Sequence, residues 1–310
     1  MHVVNQWSGD SWTLYQADNC EVLPSLPDNS ISLTLYSPPY LSLYSYSNSP
    51  RDISNSKRDE DFWTHYRIVI QQTLRLLKPG RIACVDVMNL PAMLGRHGHI
   101  GLIDFRGQVI AEHQASGFIY HSEFCSFRDP LLEAVRTKSK GLMHLQLTKD
   151  STQCRAGLPQ YLLCFRKPGK NDDPVAHPDG LECFIGHDPP TTGNLAHERW
   201  RRVASPIWMD IDFTRTLNTQ AARDERDVRH ICPMAMDIIE RALQLYSKPG
   251  DVVLDPFNGI GSTGYCALKM GRRYVGVELK DSYAAEAARN LAAACETRQT
   301  SLFDQPAEVG

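Results

Sequence analysis

The stretch Asp251-Val-Val-Leu-Asp-Pro-Phe-Asn-Gly-Ile-Gly-Ser-Thr-Gly264 constrains the fold of this chain more than any other segment. Val252–Asp255 reads as a buried strand, the glycines as a turn and Tyr265–Met270 as a helix. Tyr274-Val-Gly-Val-Glu278 then reads as a second strand that ends in an acid. Such a strand–helix–strand unit needs a crossover, and parallel strands of that kind are covered by helices on both faces. Gly259, Gly261 and Gly264 formally satisfy the dinucleotide fingerprint, with Glu278 near its ribose-binding position. The spacing argues against a nicotinamide. Asp255-Pro256-Phe257-Asn258 separates the strand from the first glycine, whereas that fingerprint turns straight out of the strand to set pyrophosphate on a helix N-terminus. An acid at the strand end, an aromatic ring and Gly-x-Gly suit a ligand with a cationic amino group and a ribose but no pyrophosphate. S-adenosylmethionine fits, with Asp255 by its ammonium, close backbone approach at the glycines, and Glu278 accepting from the ribose hydroxyls.

The rest of the chain alternates in the same way. Strands are predicted near Trp12–Gln16 and at Ile31–Tyr36, Arg81–Met88, Phe118–Phe127 and Tyr161–Arg166. Trp63, Ile70, Leu74 and Leu77 recur near helical spacing, which predicts a helix over Phe62–Leu77 stopped by Lys78-Pro-Gly80. Ile238, Ala242 and Leu245 predict another, stopped by Lys248-Pro-Gly250. The expected class is α/β: a doubly wound, mostly parallel, Rossmann-like sheet with ligand loops at the strands' C-terminal ends. No internal repeat is visible.

One such loop carries the second motif. Ser37-Pro38-Pro39-Tyr40 follows the apolar strand Ile31–Tyr36. The first proline forces the residue before it out of the helical region, and neither proline offers an N–H. The product is a stiff loop presenting a hydroxyl, outward carbonyls and a flat ring. That inventory suits a planar hydrogen-bonding ligand such as a nucleobase; a plain proline-stiffened turn is the alternative.

The order of the motifs, with Ser-Pro-Pro-Tyr first and Asp-Pro-Phe-x-Gly-x-Gly last, resembles the circularly permuted beta class of site-specific DNA amino-methyltransferases, which share the S-adenosylmethionine-dependent methyltransferase fold. The resemblance covers most of the chain. Leu14–Asp18, before Leu23–Ser30, is similar to the family's strand and turn contacting the donor's adenine, which implicates Asp18. His230–Glu240, with Cys232 and Pro233, is similar to the helix that covers the methionine end. Tyr44–Asp52 and Asp104-Phe-Arg-Gly107 look most like the orphan enzymes of phages and prophages. The resemblance implies a catalytic domain in two pieces, 1–168 and 226–298, a target-recognition region inserted at 169–225, and a tail at 299–310.

It also implies the chemistry. An exocyclic amine shares its lone pair with the ring and is a weak nucleophile. Ser37 Oγ and the Pro38 carbonyl would accept its protons, and Tyr40 would stack on the flipped base. Pro39 completes the loop, and positioning supplies most of the acceleration. Serine at the first motif position leans towards cytosine N4, and Asp or Asn towards adenine N6. The phage-type resemblance shifts the expectation slightly to adenine N6, with cytosine N4 as the alternative. The C5-cytosine route needs a Pro-Cys setting, and the chain has no such dipeptide. Two other classes stay open: a nicotinamide-dependent oxidoreductase, and a catalytically silent DNA-binding regulator on the same fold.

Composition bounds the partners. The 310 residues, 42% hydrophobic, suffice for one substantial α/β core plus an insertion. No apolar run is long enough to span a membrane, and no signal-peptide core opens the chain. Nine scattered cysteines form no Cys-x-x-Cys pair and no zinc spacing, so a reducing, cytoplasmic setting and no metal are expected. Net charge is −3, yet Arg128–Lys170 holds nine Lys/Arg against three acids, a local +6. Alone, such a patch reads as an ordinary solvated surface; with a base-binding motif in the same chain, it points to double-stranded DNA. A homodimer is allowed but not required. Leu41–Asp61 reads as a lid over the catalytic loop, with disorder as the alternative. In the recognition region, the arginines of Glu198–Arg202 are candidates for guanine-edge or phosphate contacts, with a plain helix surface as the alternative, and Trp208 either wedges or packs. The last residues, Thr297–Gly310, are expected to fray.

Overall fold

A computed structural model of the chain describes residues 3–40, 59–92, 94–137, 140–176, 200–218 and 233–303. One large sheet organises it. In chain order its strands are β1 (Val3–Gly9), β2 (Trp12–Ala17), β3 (Ile31–Tyr36), β4 (Leu77–Val87), β7 (Ile119–Ser126), β8 (Gln160–Arg166), β9 (Ile207–Trp208), β10 (Val252–Asp255) and β11 (Arg273–Glu278). Strands β5 (Leu90–Ala92) and β6 (Gly101–Ile103) form a separate pair. The spatial order is β1-β2-β11-β10-β3-β4-β8-β7-β9. Strands β2, β11, β10, β3 and β4 run parallel, while β8 is antiparallel to both its neighbours and β1 to β2.

Helices cover both faces. On one, α4 (Met236–Tyr246), α5 (Ser262–Lys269) and α6 (Asp281–Phe303) pack Ile238, Ala267 and Leu291 against Leu14, Leu33, Cys84 and Val253. On the other, α1 (Asp59–Leu76) and α2 (Phe105–Ala115) pack Tyr66, Ile70 and Phe105 against Tyr36, Val85 and Phe165. Every residue of β3 is buried, Ser32 and Thr34 included, so the alternation of Ile-Ser-Leu-Thr-Leu-Tyr does not mark a solvent face: the strand is covered on both sides. The remaining helix relevant to the surface is α3 (Pro130–Thr137).

The doubly wound α/β class is as expected, with local differences. Helix α1 ends at Leu76, and β4 starts at Leu77 instead of Arg81. Lys78-Pro-Gly80 is not a loop but an irregularity in the strand, between the pairs Ile31↔Leu77 and Leu33↔Ile82. Gly80 takes a φ of +72°, and its N–H donates to the Lys167 carbonyl, so the Pro-Gly pair is absorbed into the sheet. The tail expected to fray from Thr297 stays helical to Phe303; residues 304–310 lie outside those described. No helix among the described residues is long and apolar enough to cross a membrane.

Sheet order places the site. From β10 the chain moves to β11, and β2 lies beyond it. From β3, on the other side of β10, it moves to β4. The winding therefore reverses between β10 and β3, the position where open α/β sheets bind ligands beyond their strands' carboxyl ends. Asp255 ends β10 and Ser37 follows β3, so the two motifs, more than two hundred residues apart in sequence, meet there.

Candidate functional site

A single cleft of about 1130 Å3, counting its space open to solvent, lies across this reversal. Ser37, Pro38, Pro39 and Tyr40 line it together with Asp18, Pro233, Asp255, Pro256, Phe257, Gly259 and Glu278. Gly261 caps the N-terminus of α5 immediately behind. Cys232 lies outside the described residues.

Asp255 lines the cleft from the end of β10. It is 4% exposed, and burial pushes its carboxyl up to about 7, although the Phe257 N–H at 2.9 Å and the Thr263 hydroxyl favour the ionised form. Among the described residues no cation pairs with it; the groups that bear on it are hydrogen-bond donors. A cationic ligand group beside Asp255 would supply the missing charge.

The glycine turn that follows is tightly specified. Gly259 and Gly261 take φ of +52° and +87°, values that side-chain-bearing residues avoid. Glu278 holds the turn: Oε2 accepts from the Gly259 N–H at 2.7 Å and Oε1 from the Lys280 N–H at 2.8 Å. The expected ribose-binding acid is thus also the turn's anchor. Asn258 is buried, accepts from the Tyr274 hydroxyl at 2.6 Å and donates to the Gly259 carbonyl at 2.9 Å.

Asp18 ends the strand-and-turn that faces this loop. Its Oδ1 accepts from the Cys20 N–H at 2.9 Å and caps the turn Asn19–Val22. Asn19, beside it, donates to the Pro256 carbonyl at 3.2 Å. Asn19, Asn258, Ile260, Thr263, Lys280 and Tyr283 line the cleft and were not among the expected residues. They follow each recognised motif position by one to five residues, but polar and apolar neighbours of that kind carry no spacing signal.

The Ser37–Tyr40 side of the cleft rests on aromatic packing. Tyr40 is half-buried with its ring 5.7 Å from Phe105. Tyr36, the last residue of β3, is fully buried against Phe257 at 5.6 Å, which joins the two motif loops through one ring contact. Its hydroxyl lies 3.2 Å from that of Tyr66 and 3.5 Å from His113 Nε2. His113 stacks on Phe165, and burial pushes its imidazole down to about 4, so it is neutral at physiological pH.

Sequence comparison now applies to this geometry. The profile of the N6/N4 methylase family, described as DNA methylase, matches residues 31–289. This chain belongs to the DNA methylase family. A Type II methyltransferase, M.BglII, of Bacillus subtilis is 25% identical over 273 residues, which cover 87% of this chain and 66% of that protein; the chain thus spans just under two thirds of the relative's length. A solved chain from Thermus thermophilus, provisionally assigned as a DNA modification methylase and complexed with S-adenosyl-L-methionine, superposes with a TM-score of 0.63. It is 24% identical, over 91% of this chain and 93% of that one. A solved PvuII DNA methyltransferase, described as cytosine-N4-specific, superposes with a TM-score of 0.57 at 17% identity, over 98% of both chains. These two likenesses show a shared fold.

Outside the cleft, the structure narrows two expectations. Much of the basic patch binds the protein itself: Arg128 donates to Gln160 and lies over Phe213, Arg155 pairs with Glu133, and Lys167 donates to Asn29 and to the Arg75 and Leu77 carbonyls. The side chains at 136–140 lie outside the described residues. Trp208 is no wedge. It is 1% exposed, stacks on Phe124 at 4.5 Å and has the Arg241 guanidinium 5.1 Å from its ring. Arg202 pairs with Asp210, and Trp200 is exposed. Residues 41–58 of the expected lid, and 177–199 (with Glu198) and 219–225 of the expected recognition region, lie outside the described residues.

Proposed function

We propose that this chain transfers the methyl group of S-adenosylmethionine to the exocyclic amine of a base flipped out of double-stranded DNA. The observation that carries it is the meeting of a buried, cation-seeking Asp255 and the Ser37–Tyr40 loop in one cleft of a DNA methylase. The donor fits the residues present. Asp255 would face its ammonium, Glu278 and Asp18 its ribose and adenine side, and the glycine turn would admit it closely. Pro233, Pro256, Phe257, Ile260 and Tyr283 offer it apolar cover. When bound it supplies a methyl on a sulfonium.

The chain's own residues do the rest. Ser37 Oγ and the Pro38 carbonyl accept the amine protons and free the nitrogen lone pair. Tyr40 stacks on the extruded base, and Pro39 keeps the loop stiff. Extrusion costs a few kcal/mol, roughly, which stacking and contacts to the vacated site offset. Placement of Ser-Pro-Pro-Tyr before the glycine motif supports the permuted beta class, and Tyr44–Asp52 with Asp104–Gly107 support the phage-type orphan branch. That branch makes adenine N6 the favoured amine. Ser37 itself supports the second reading, cytosine N4. Residues 1–168 with 226–298 form the catalytic unit and 169–225 the target-recognition region in this reading.

Expression in a host without its own DNA methylases, followed by long-read sequencing, tests it. One modified base in a fixed sequence context is expected. Unmodified DNA from cells containing the folded chain would overturn the reading.

A further inference from the structure

Residues 212–217, between β9 and α4, form a strap built on a turn. Asp212 Oδ1 accepts from the Thr214 N–H at 2.8 Å and from the Thr214 hydroxyl at 2.6 Å, and the Arg215 N–H donates to the Asp212 carbonyl at 3.2 Å. Aspartate builds turns in this way. The strap then docks on the start of α4. Ala235 stands at that helix's N-cap and offers no side-chain acceptor, so the first N–H groups need partners from elsewhere. The Arg215 carbonyl takes the Met236 N–H at 2.9 Å, and the Asp212 N–H donates in return to Asp237 Oδ2 at 2.8 Å. Arg215 Nη1 adds ion pairs to Asp237 Oδ1 and Glu240 Oε2, both at 2.6 Å, and Nη2 bonds Glu240 Oε1.

Both ends of this arrangement reach the cleft. Pro233 and Met234, just before α4, line it, and so do Ile260 and Tyr283. Ile260 belongs to the glycine turn after β10, and Tyr283 to α6. Leu217, two residues past Arg215, packs against Ile260 and Tyr283. The strap therefore joins two groups of cleft-lining residues that come from different elements, and the Arg215 ion pairs fix it at α4.

We infer that Arg215 is a positioning residue for the methyl donor: its ion pairs with Asp237 and Glu240 hold Leu217 against Ile260 and Tyr283, and the strength of that hold sets how fast the donor and its demethylated product leave the cleft. The inference rests on the donor assignment proposed above. The exposures favour a releasable clasp over a permanent one. The Arg215 side chain is 46% exposed, and those of Asp237 and Glu240 are 19% and 25% exposed. Ion pairs that accessible are individually weak and are weakened further by salt. A cleft that must release a product at every turnover needs a wall of this kind, because opening steps set many turnover rates.

Release of labelled S-adenosylmethionine, and of labelled S-adenosylhomocysteine, from the full chain into an excess of unlabelled compound tests this. Arg215→Gln should raise both release rates about fivefold, with association unchanged within about twofold. In wild type the release rates should rise with ionic strength, and in Arg215→Gln that dependence should be lost; a role confined to capping α4 would not produce this difference. Leu217→Ala should also speed release, and adding Arg215→Gln to it should change little, because the two act through one contact. Should Arg215→Gln fail to fold, Glu240→Gln, which keeps the Asp237 pair, should give a smaller increase and decides the matter. Unchanged release, a retained salt dependence or fully additive effects in the double variant would overturn the inference and leave the donor site standing. A folded wild type that binds neither compound would overturn the donor assignment itself.

Discussion

At the residue scale the cleft holds two side chains whose roles separate cleanly. Tyr40 acts on the base and not on the donor in the proposed reaction, so Tyr40→Ala should abolish methylation while donor binding by calorimetry survives. Turnover at the wild-type rate would remove the stacking role. Asp255 acts on the donor. Asp255→Ala should weaken donor binding by about 1–3 kcal/mol, the usual cost of leaving a charged partner unpaired; an unchanged Kd would refute the assignment. Its pH dependence follows from the raised carboxyl. Folding binds a proton to Asp255 between the ordinary value of 3.8 and about 7, so this group's contribution to stability is present at low pH and falls as pH rises through that window. Donor binding needs the ionised form, and affinity should rise from about pH 5 to pH 7. An affinity that is flat across that range in wild type would contradict an ionised Asp255 in the complex.

The element that most depends on sequence detail is the turn from β10 into α5. A Cβ at Gly264 would lie 2.4 Å from Leu291 Cδ2 and 2.5 Å from Tyr274 Cε1. Neither neighbour yields readily: Leu291 is fully buried, and the Tyr274 ring is tethered through its hydroxyl to Asn258. Gly264→Ala should therefore cost about 1–3 kcal/mol of stability by overpacking, read from the midpoint of urea unfolding. An unchanged midpoint would show that α6 can move away. This element was legible in the sequence because its glycines answer to backbone geometry and Val252–Leu254 to a short apolar run. Val252–Asp255 and Ile31–Tyr36 appear with the expected bounds. Strand β4 was misread at its start because Pro-Gly is normally a stop, and only the carbonyl of Lys167, distant in sequence, makes it part of the sheet. Helix α2 and the edge strand β1 were not foreseen. Phe105, Val109 and His113 are the buried residues of α2, too few apolar positions to show a period, and β1 is mostly exposed.

Over the whole molecule, the late strand β10 is seated at the centre of a sheet begun by the early strands. A buried ion pair helps to fix it there. Arg81 in β4 bonds Asp251, at the start of β10, and its other nitrogens donate to the Ser32 carbonyl at 2.9 Å and the Asp173 carbonyl at 2.8 Å. Both side chains are nearly inaccessible. Arg81→Met should destabilise the chain by about 3–5 kcal/mol by stranding a buried carboxylate, and adding Asp251→Leu should recover much of it. No recovery in the double variant would point to the carbonyl contacts as the main loss. At this scale the sequence predicts sheet class well, because strand alternation is a local signal. DNA contacts were less legible. Charge counting along the chain cannot tell a phosphate-binding arginine from Arg128 or Lys167, whose partners are intramolecular. The central claim is methyl transfer to an exocyclic amine. The most direct measurement is incubation of the purified chain with DNA and methyl-labelled S-adenosylmethionine, followed by digestion to nucleosides and mass spectrometry. Label in N6-methyladenine, or in N4-methylcytosine on the second reading, is the predicted result; label at cytosine C5, or none in DNA, would contradict it.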